Sequence, residues 1–288
     1  MKLTPEQRHD RLLAAGMLDH PFIQLARFLK GVFTEFDLGI SRRIQTGKPV
    51  LTVIGSKFGI SMELGLIALA LSLVIGVPIG IMQARFKDGI IDGVGQAFTI
   101  FINSVPALVS YSLILVFGAR LIGLPSTYSA RKVWKFMLFG QQMKFNFSTI
   151  LPIICLSLGS TASYMMWMRR YMVDELNKDY IRLAKLKGLS TTRVMFTHVM
   201  KNAFLPLAQY LPYSVLLTVG GSILVERFFS VPGLGPLLTD AISRYDTNVV
   251  QAIVMLYASL GILGLFLGDL LMTLLDPRIK LTGKEGSR

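Results

Sequence analysis

Residues 179–206, DYIRLAKLKGLSTTRVMFTHVMKNAFLP, form the one long polar and basic stretch lying between two hydrophobic runs. The pattern predicts two short helices. Asp179 is placed to cap the first, which carries Tyr180, Leu183 and Ala184 on one face and stops at Gly188. Ser190 is placed to cap the second, whose expected apolar face is Met195, Phe196, Val199, Met200 and Ala203. Leu205 and Pro206 then close the pair and open the next apolar run. A helix–glycine–helix hairpin between two membrane spans is a rigid projection, a docking device more than a reaction site.

The hairpin sits among five expected spans. A transmembrane helix needs about 20 mostly apolar residues. Residues 62–84, 96–118, 147–168, 207–225 and 249–275 meet that need, with Glu63 at the edge of the first and Asp269 inside the last. Composition agrees, since 52% of the chain is hydrophobic, only 16% is charged, and the mean hydropathy is +0.55. Soluble domains carry about 25% charged residues. The expected fold class is an all-α polytopic membrane protein with five visible spans. The net charge of +13 would suggest nucleic acid in a soluble protein, but here the basic residues fall in loops. That placement points to topology control and anionic lipid instead, with no nucleic-acid partner. The single cysteine, Cys155, lies in an apolar run, which excludes an intrachain disulfide and a cysteine metal site.

Loop charge orients the bundle. The turn with Arg85 and Lys87, the segment 169–201 and the tail after Asp276 fall on one side and hold fourteen Lys/Arg. The opposite loops, 119–146 and 226–248, hold seven. The positive-inside rule therefore places the hairpin, and the tail 277–288, in the cytosol. Arg120, Arg131, Lys132, Lys135 and Lys144 run against this trend and read as a solvated outer loop. Parity leaves residues 1–60 outside, and a further span preceding this sequence would resolve it. Within that segment, the apolar residues from Phe22 to Val32 are interrupted by Arg27 and Lys30, as in an amphipathic helix lying on a membrane surface. Glycines and Pro49 predict an irregular connection onward to residue 60. On the outer side, Pro232 and Gly233 predict a type II turn, and Gly235 with Pro236 the start of a short helix.

With these residues in view, the hairpin resembles the EAA loop of binding-protein-dependent ABC importer permeases, in their dipeptide/oligopeptide/nickel branch. The family pattern is matched at Asp179, Tyr180, Arg182, Ala184, Lys187, Gly188, Leu189 and Ser190, then at Asn202, Leu205 and Pro206. ELGLIALALSLVIGVPIGI, FFSVPGLGPLL and LLDPRIK follow in family order, so the likeness covers roughly residues 20–281. Two departures stand out: Arg182 and Leu183 replace the motif's Glu and first Ala, and the family normally has six spans. The resemblance implies a type I ABC importer transmembrane domain, spanning residues 61–276 with the hairpin at 171–206. It implies that Tyr180, Arg182, Ala184, Lys185, Lys187, Gly188, Leu189 and Ser190 meet a cytosolic ATP-binding subunit. Asp179, Asn202, Leu205 and Pro206 would support the hairpin, and Pro232, Gly233 and Gly235 would face an extracytoplasmic solute-binding protein. The implied partners are a second, homologous permease subunit, two ATP-binding subunits, the binding protein and membrane lipid.

No Walker loop, zinc spacing or nucleophile elbow occurs, so ATP and Mg would belong to the partner subunits and this chain would bind no cofactor or metal and catalyse no reaction. Asp269 lies about two turns from a span end, where a hydrogen bond to a neighbouring helix or to the headgroup region suits it better than a proton relay. No other span has a central charge, which speaks against an ion-coupled secondary transporter. Import of peptides is the expected function, with nickel or another small solute as the alternative within the same branch.

Overall fold

The computed structural model describes residues 18–131, 133–138 and 141–276, together with positions 4, 6, 7, 9 and 13. Lys132 and the basic tail 277–288 lie outside the described residues.

Helix α1, Pro21–Glu35, begins with proline in its first turn and with the His20 ring accepting a hydrogen bond from the Phe22 N–H. It buries none of its residues, and Phe22, Ile23 and Phe33 face outward, as the amphipathic pattern requires. Helix α2, Val50–Arg85, starts twelve residues before the expected span. The irregular connection expected up to residue 60 is thus helical from Val50, and the boundary drawn at 60/61 falls inside a helix. Val50, Val53 and Ile54 are buried against Leu234, Leu237, Ala241 and Val249, and this burial outweighs the roughly 1 kcal/mol that each of Gly55 and Gly59 costs a helix.

The second expected span is broken. Helices α3, Ile90–Ser104, and α4, Ala107–Leu121, meet at an angle of 110°. Pro106 lacks the N–H that would continue the ladder, and it holds Val105 in extended backbone, with ψ at 130°. Within the expected outer loop 119–146, strands β1, Val133–Leu138, and β2, Gln141–Asn146, form an antiparallel hairpin that pairs Val133 with Asn146. Nothing in the sequence reading anticipated these strands.

A 3-10 turn, Phe147–Thr149, leads into α5, Ile150–Leu176. The predicted hairpin follows as α6, Asp179–Leu186, then α7, Thr191–Val194, a π-helical turn, Met195–Val199, and α8, Met200–Ala203. Helix α9, Leu205–Val219, opens with Pro206 in its first turn. Gly220 and Gly221 separate it from α10, Ile223–Phe228. Helix α11, Leu234–Ser243, and the long α12, Thr247–Leu275, complete the chain. By length and composition, four segments can cross a membrane: α2, Phe147–Leu176, Leu205–Phe228 and α12. The bent α3–α4 pair makes a fifth where its two halves are counted as one span.

Close backbone approach holds the bundle together. Ser72, Gly76 and Gly80 recur every fourth residue along α2 and face α5. The Ser72 hydroxyl donates to the Ser157 carbonyl at 3.1 Å. A Cβ at Gly76 would lie 2.9 Å from the Thr161 carbonyl, and one at Gly80 2.7 Å from that of Met165. Small residues at this spacing let helices pack without side chains between them, which is the main source of helix association in lipid. Gly264 repeats the device on α12, against the Tyr213 backbone of α9.

Candidate functional site

The hairpin emerges where α5 ends, and its inner face is built into the bundle. Ile181, Ala184, Val194, Met195, Val199 and Ala203 are buried with Met168 and Met172 of α5 and Ala84 of α2. The face expected to combine Tyr180, Leu183 and Ala184 is divided accordingly. Ala184 points inward with Ile181, three residues away, whereas Tyr180 and Leu183 are exposed. Leu186, overlooked in the sequence, is 85% exposed at the end of α6. In the second arm Phe196 is also exposed, because the extra residue of the π-helical turn shifts it off the apolar stripe.

Three local expectations meet the structure differently. Ser190 caps the second arm by accepting from the Arg193 N–H at 3.4 Å. Asp179 does not cap the first: Lys178 occupies that position, and Asp179 stands in the first turn, 3.5 Å from Arg182 in an exposed ion pair. At the N-terminal turn the carboxylate still complements the helix dipole. Gly188 has φ +82, the left-handed conformation that a turn between two helices needs and that a Cβ resists. Its Lys185, Lys187 and Leu189 neighbours surround this turn at the tip.

The base of the hairpin is tied by side chains. The Asn202 amide donates to the Tyr180 hydroxyl at 2.7 Å and to the Glu175 carboxylate at 3.1 Å, and Tyr180 itself hydrogen-bonds Glu175. Asn202, predicted as support, and Tyr180, predicted as contact, thus belong to one cluster with Glu175, which the sequence reading passed over. Arg85 at the end of α2 reaches the Thr192 hydroxyl at 3.3 Å. Nearby, Arg169 of α5 clamps Asp92 of α3 with two bonds of 2.5 and 2.6 Å, and Asp92 is wholly buried. A buried, bidentate guanidinium–carboxylate pair fixes geometry as well as charge. The hairpin, α2, α3 and α5 are therefore linked at one end of the bundle. Leu205 and Pro206 carry the second arm directly into α9, and the Gln209 amide one turn on donates to Asp269 of α12 at 2.8 Å. Asp269 thus makes the interhelical bond expected of it.

At the opposite end, Glu226, which the sequence pattern places in a loop, is a buried residue of α10. Its carboxylate accepts from the Gly235 N–H at 2.8 Å and the Ser222 N–H at 3.3 Å. Ser61 of α2 adjoins it and accepts from the Leu234 N–H at 2.8 Å. The three predicted outer residues gather here, though not in a type II turn: Gly233 has φ −96, and its N–H bonds the Val231 carbonyl across Pro232, a tighter three-residue turn. Gly233 and Gly235 are needed for space, since a Cβ on either would run into the Glu226 carboxylate or the Ile223 backbone. Asp246, also buried, accepts from the Ser41 hydroxyl at 2.7 Å and from the N–H groups of Arg43 and Ile44 at 2.9 Å and Arg42 at 3.1 Å. Burial alone would push this carboxyl up, but the Ser41 hydroxyl and the three N–H groups outweigh it and hold Asp246 below the ordinary carboxylate value. Gly221, Gly233 and Gly235 are the sequence signal for the Glu226 site, and the Asp246 site has none of this kind.

A polytopic helical bundle with a helical hairpin projecting from one end has the architecture of a transporter's membrane domain. The chain belongs to the family of binding-protein-dependent transport system inner membrane components, whose profile matches residues 76–281, and it is a multi-pass membrane protein. It is 33% identical to the dipeptide transport system permease protein DppB of Lactococcus lactis subsp. cremoris over 97% of this chain and 88% of that protein. With DppB of Escherichia coli K12 it shares 34% identity over 96% of this chain and 86% of the relative. The oligopeptide transport system permease protein AmiC of Streptococcus pneumoniae is 33% identical over 77% of this chain, which spans 42% of AmiC's length. In fold it is similar to the MetNI methionine ABC transporter, with a TM-score of 0.60 at 14% identity over 78% of this chain and 97% of that one. An amino acid ABC transporter gives 0.54 at 16% identity over 79% and 94%.

Proposed function

We propose that this chain carries di- or oligopeptides across the cytoplasmic membrane as one of two permease subunits, driven by two ATP-binding subunits that dock on the hairpins. The observation that carries this is the hairpin's division of labour. Ile181 and Ala184 bind α6 to the bundle, leaving Tyr180, Leu183 and Leu186 exposed as an apolar face ringed by Arg182, Lys185 and Lys187. An exposed apolar patch with a polar rim marks a protein partner, and the basic rim would steer carboxylates on that partner. The hairpin, with the basic residues around it, then faces the cytosol, and the end with Glu226, Gly233 and Gly235 faces the solute-binding protein. ATP and its magnesium reside on the partners. Closure of the ATP-binding pair pushes on the hairpin, and the Arg85–Thr192 and Asp92–Arg169 links pass that displacement to α2 and the broken α3–α4 pair. Two packings of the spans, biased by nucleotide, give alternating access. The peptide assignment follows the dipeptide and oligopeptide relatives.

The test is uptake of a labelled peptide mixture in cells lacking this chain, complemented with wild type, with Leu183→Asp/Leu186→Asp, or with Gly188→Trp. The aspartates replace exposed side chains and leave the buried face alone. Wild type should restore uptake. The double variant should insert at normal levels, fail to restore uptake and lose the co-purifying ATP-binding subunit. Full uptake by that variant would remove the hairpin from coupling, and nickel uptake without peptide uptake by wild type would replace the substrate.

A further inference from the structure

Three cavities follow one another along α5 and α9. The first, about 300 Å³, lies between Trp167 and Tyr171 of α5 and Pro206–Tyr213 of α9, with Asp269 at its rim. The second, about 390 Å³, extends from Trp167 and Tyr210 to Ser160 and Thr218. The third, about 340 Å³, continues from Ser160 and Thr218 to Gly65 and Gly221. Neighbouring cavities share their bordering residues and lie in one row, a segmented groove. The sixteen residues from Pro206 to Gly221, nearly all in α9, correspond to about 23 Å of helix, most of the roughly 30 Å hydrocarbon core.

Hydroxyls interrupt an otherwise mostly apolar lining. Ser110, Ser160, Ser163, Ser214 and Thr218 line the middle cavity, and no Asp, Glu, Lys or Arg borders the middle or outer one. Ser110 is nine-tenths buried and its hydroxyl has no hydrogen-bond partner among the described residues. Such a group is unfavourable in a dry slot and is satisfied by water or by a polar ligand. Aromatic rings cross the groove at one level. The Trp167 ring meets Tyr210 edge-on at 5.0 Å, and the Tyr164 hydroxyl bonds that of Ser214 at 2.9 Å.

We propose that this groove is the chain's wall of the translocation path, that it engages the main chain of an extended peptide through hydroxyls, and that Trp167 and Tyr210 form its narrow point. The proposal rests on the peptide assignment above. A hydroxyl both donates and accepts, so a row of them serves the alternating N–H and C=O groups of any sequence. From the Trp167–Tyr210 level onward, away from Asp269, the wall carries no fixed charge, so it sets up no barrier against either sign of side chain and selects for neither. At about 3.3 Å per residue, the groove holds roughly seven extended residues.

The experiment uses the assembled transporter in membranes, with Cys155→Ala as background and single cysteines at Ser160, Ser214, Thr218 or, as an outward-facing control, Val254 of α12. Cationic and anionic membrane-impermeant thiol reagents are applied in each nucleotide state, with rates normalised to a free thiol, alongside uptake of tripeptides with Lys, Ala or Glu at the centre. The groove cysteines should react in at least one state, the two reagents should agree within about threefold, and saturating tripeptide should slow both, while Val254→Cys stays unreactive. A fixed charge beside the path would separate the reagents by about tenfold or more, and that result would overturn the neutral wall. No reaction in any state would overturn the path itself, because the partner permease's helices would then fill the groove. If the cysteines react, no tripeptide protects them and wild type imports none, the peptide assignment fails and the main-chain recognition fails with it, while the path stands. If wild type imports peptides but they give no protection, the groove is not their route.

Discussion

Removing the Asp246 carboxylate should loosen the junction between residues 41–44 and the start of α12. Four donors converge on it: the Ser41 hydroxyl and the N–H groups of Arg42, Arg43 and Ile44, at 2.7–3.2 Å. In Asp246→Ala the hydroxyl can turn elsewhere, but the three amides are held by a bend that also bonds Ser41 to Lys48. A buried donor without an acceptor costs about 1–3 kcal/mol. The amides here are only part-buried, so water recovers some of that, and a total of about 3–5 kcal/mol is expected. Asp246→Asn keeps one acceptor oxygen and should lose roughly 1–2 kcal/mol. Thermal unfolding of the purified protein in detergent, followed by tryptophan fluorescence, reads this directly. At about 2–4 °C per kcal/mol, the alanine variant should melt roughly 6–20 °C below wild type and the asparagine variant between the two. The sign with pH follows from a folded-state carboxyl held below its ordinary value. Its stabilisation is complete above the unfolded value of about 3.9 and is lost as pH falls through the folded one, so wild type and Asp246→Asn should converge below about pH 4. An alanine variant within 1 °C of wild type at neutral pH, or a gap that widens in acid, would refute this account.

Two further outcomes test the packing. Gly80→Leu, which forces a side chain against the Met165 backbone, should abolish the monodisperse peak in size-exclusion chromatography, whereas Gly59→Leu, with open space around it, should leave the peak intact. Asp92→Ala should lower stability by about 3–5 kcal/mol because it strands the Arg169 guanidinium, and Asp92→Ala/Arg169→Met should recover part of that loss in a double-mutant cycle.

The properties of this chain that depend on neighbours within a turn or two were legible in the sequence. Apolar runs announced the spans because burial in lipid is decided by composition over about 20 residues. Gly188 and Ser190 announced the hairpin because a left-handed turn and a cap are local events. Pro106 interrupts the helix ladder by its own chemistry, although the 110° bend depends on how α3 and α4 then pack. Tertiary structure alone decided which polar groups meet. Asp246 finds Ser41 across 205 residues of sequence, Arg169 finds Asp92 across 77, and Glu226 finds its glycines only because α10 and α11 fold back on α2. It also decided that Val50–Val53 continue a helix, that Tyr180 and Leu183 face outward while Ala184 faces in, and that the hydroxyls of α5 and α9 line one groove. Periodicity marks a face, but only the packing of the other helices determines whether that face meets protein, lipid or a path through both.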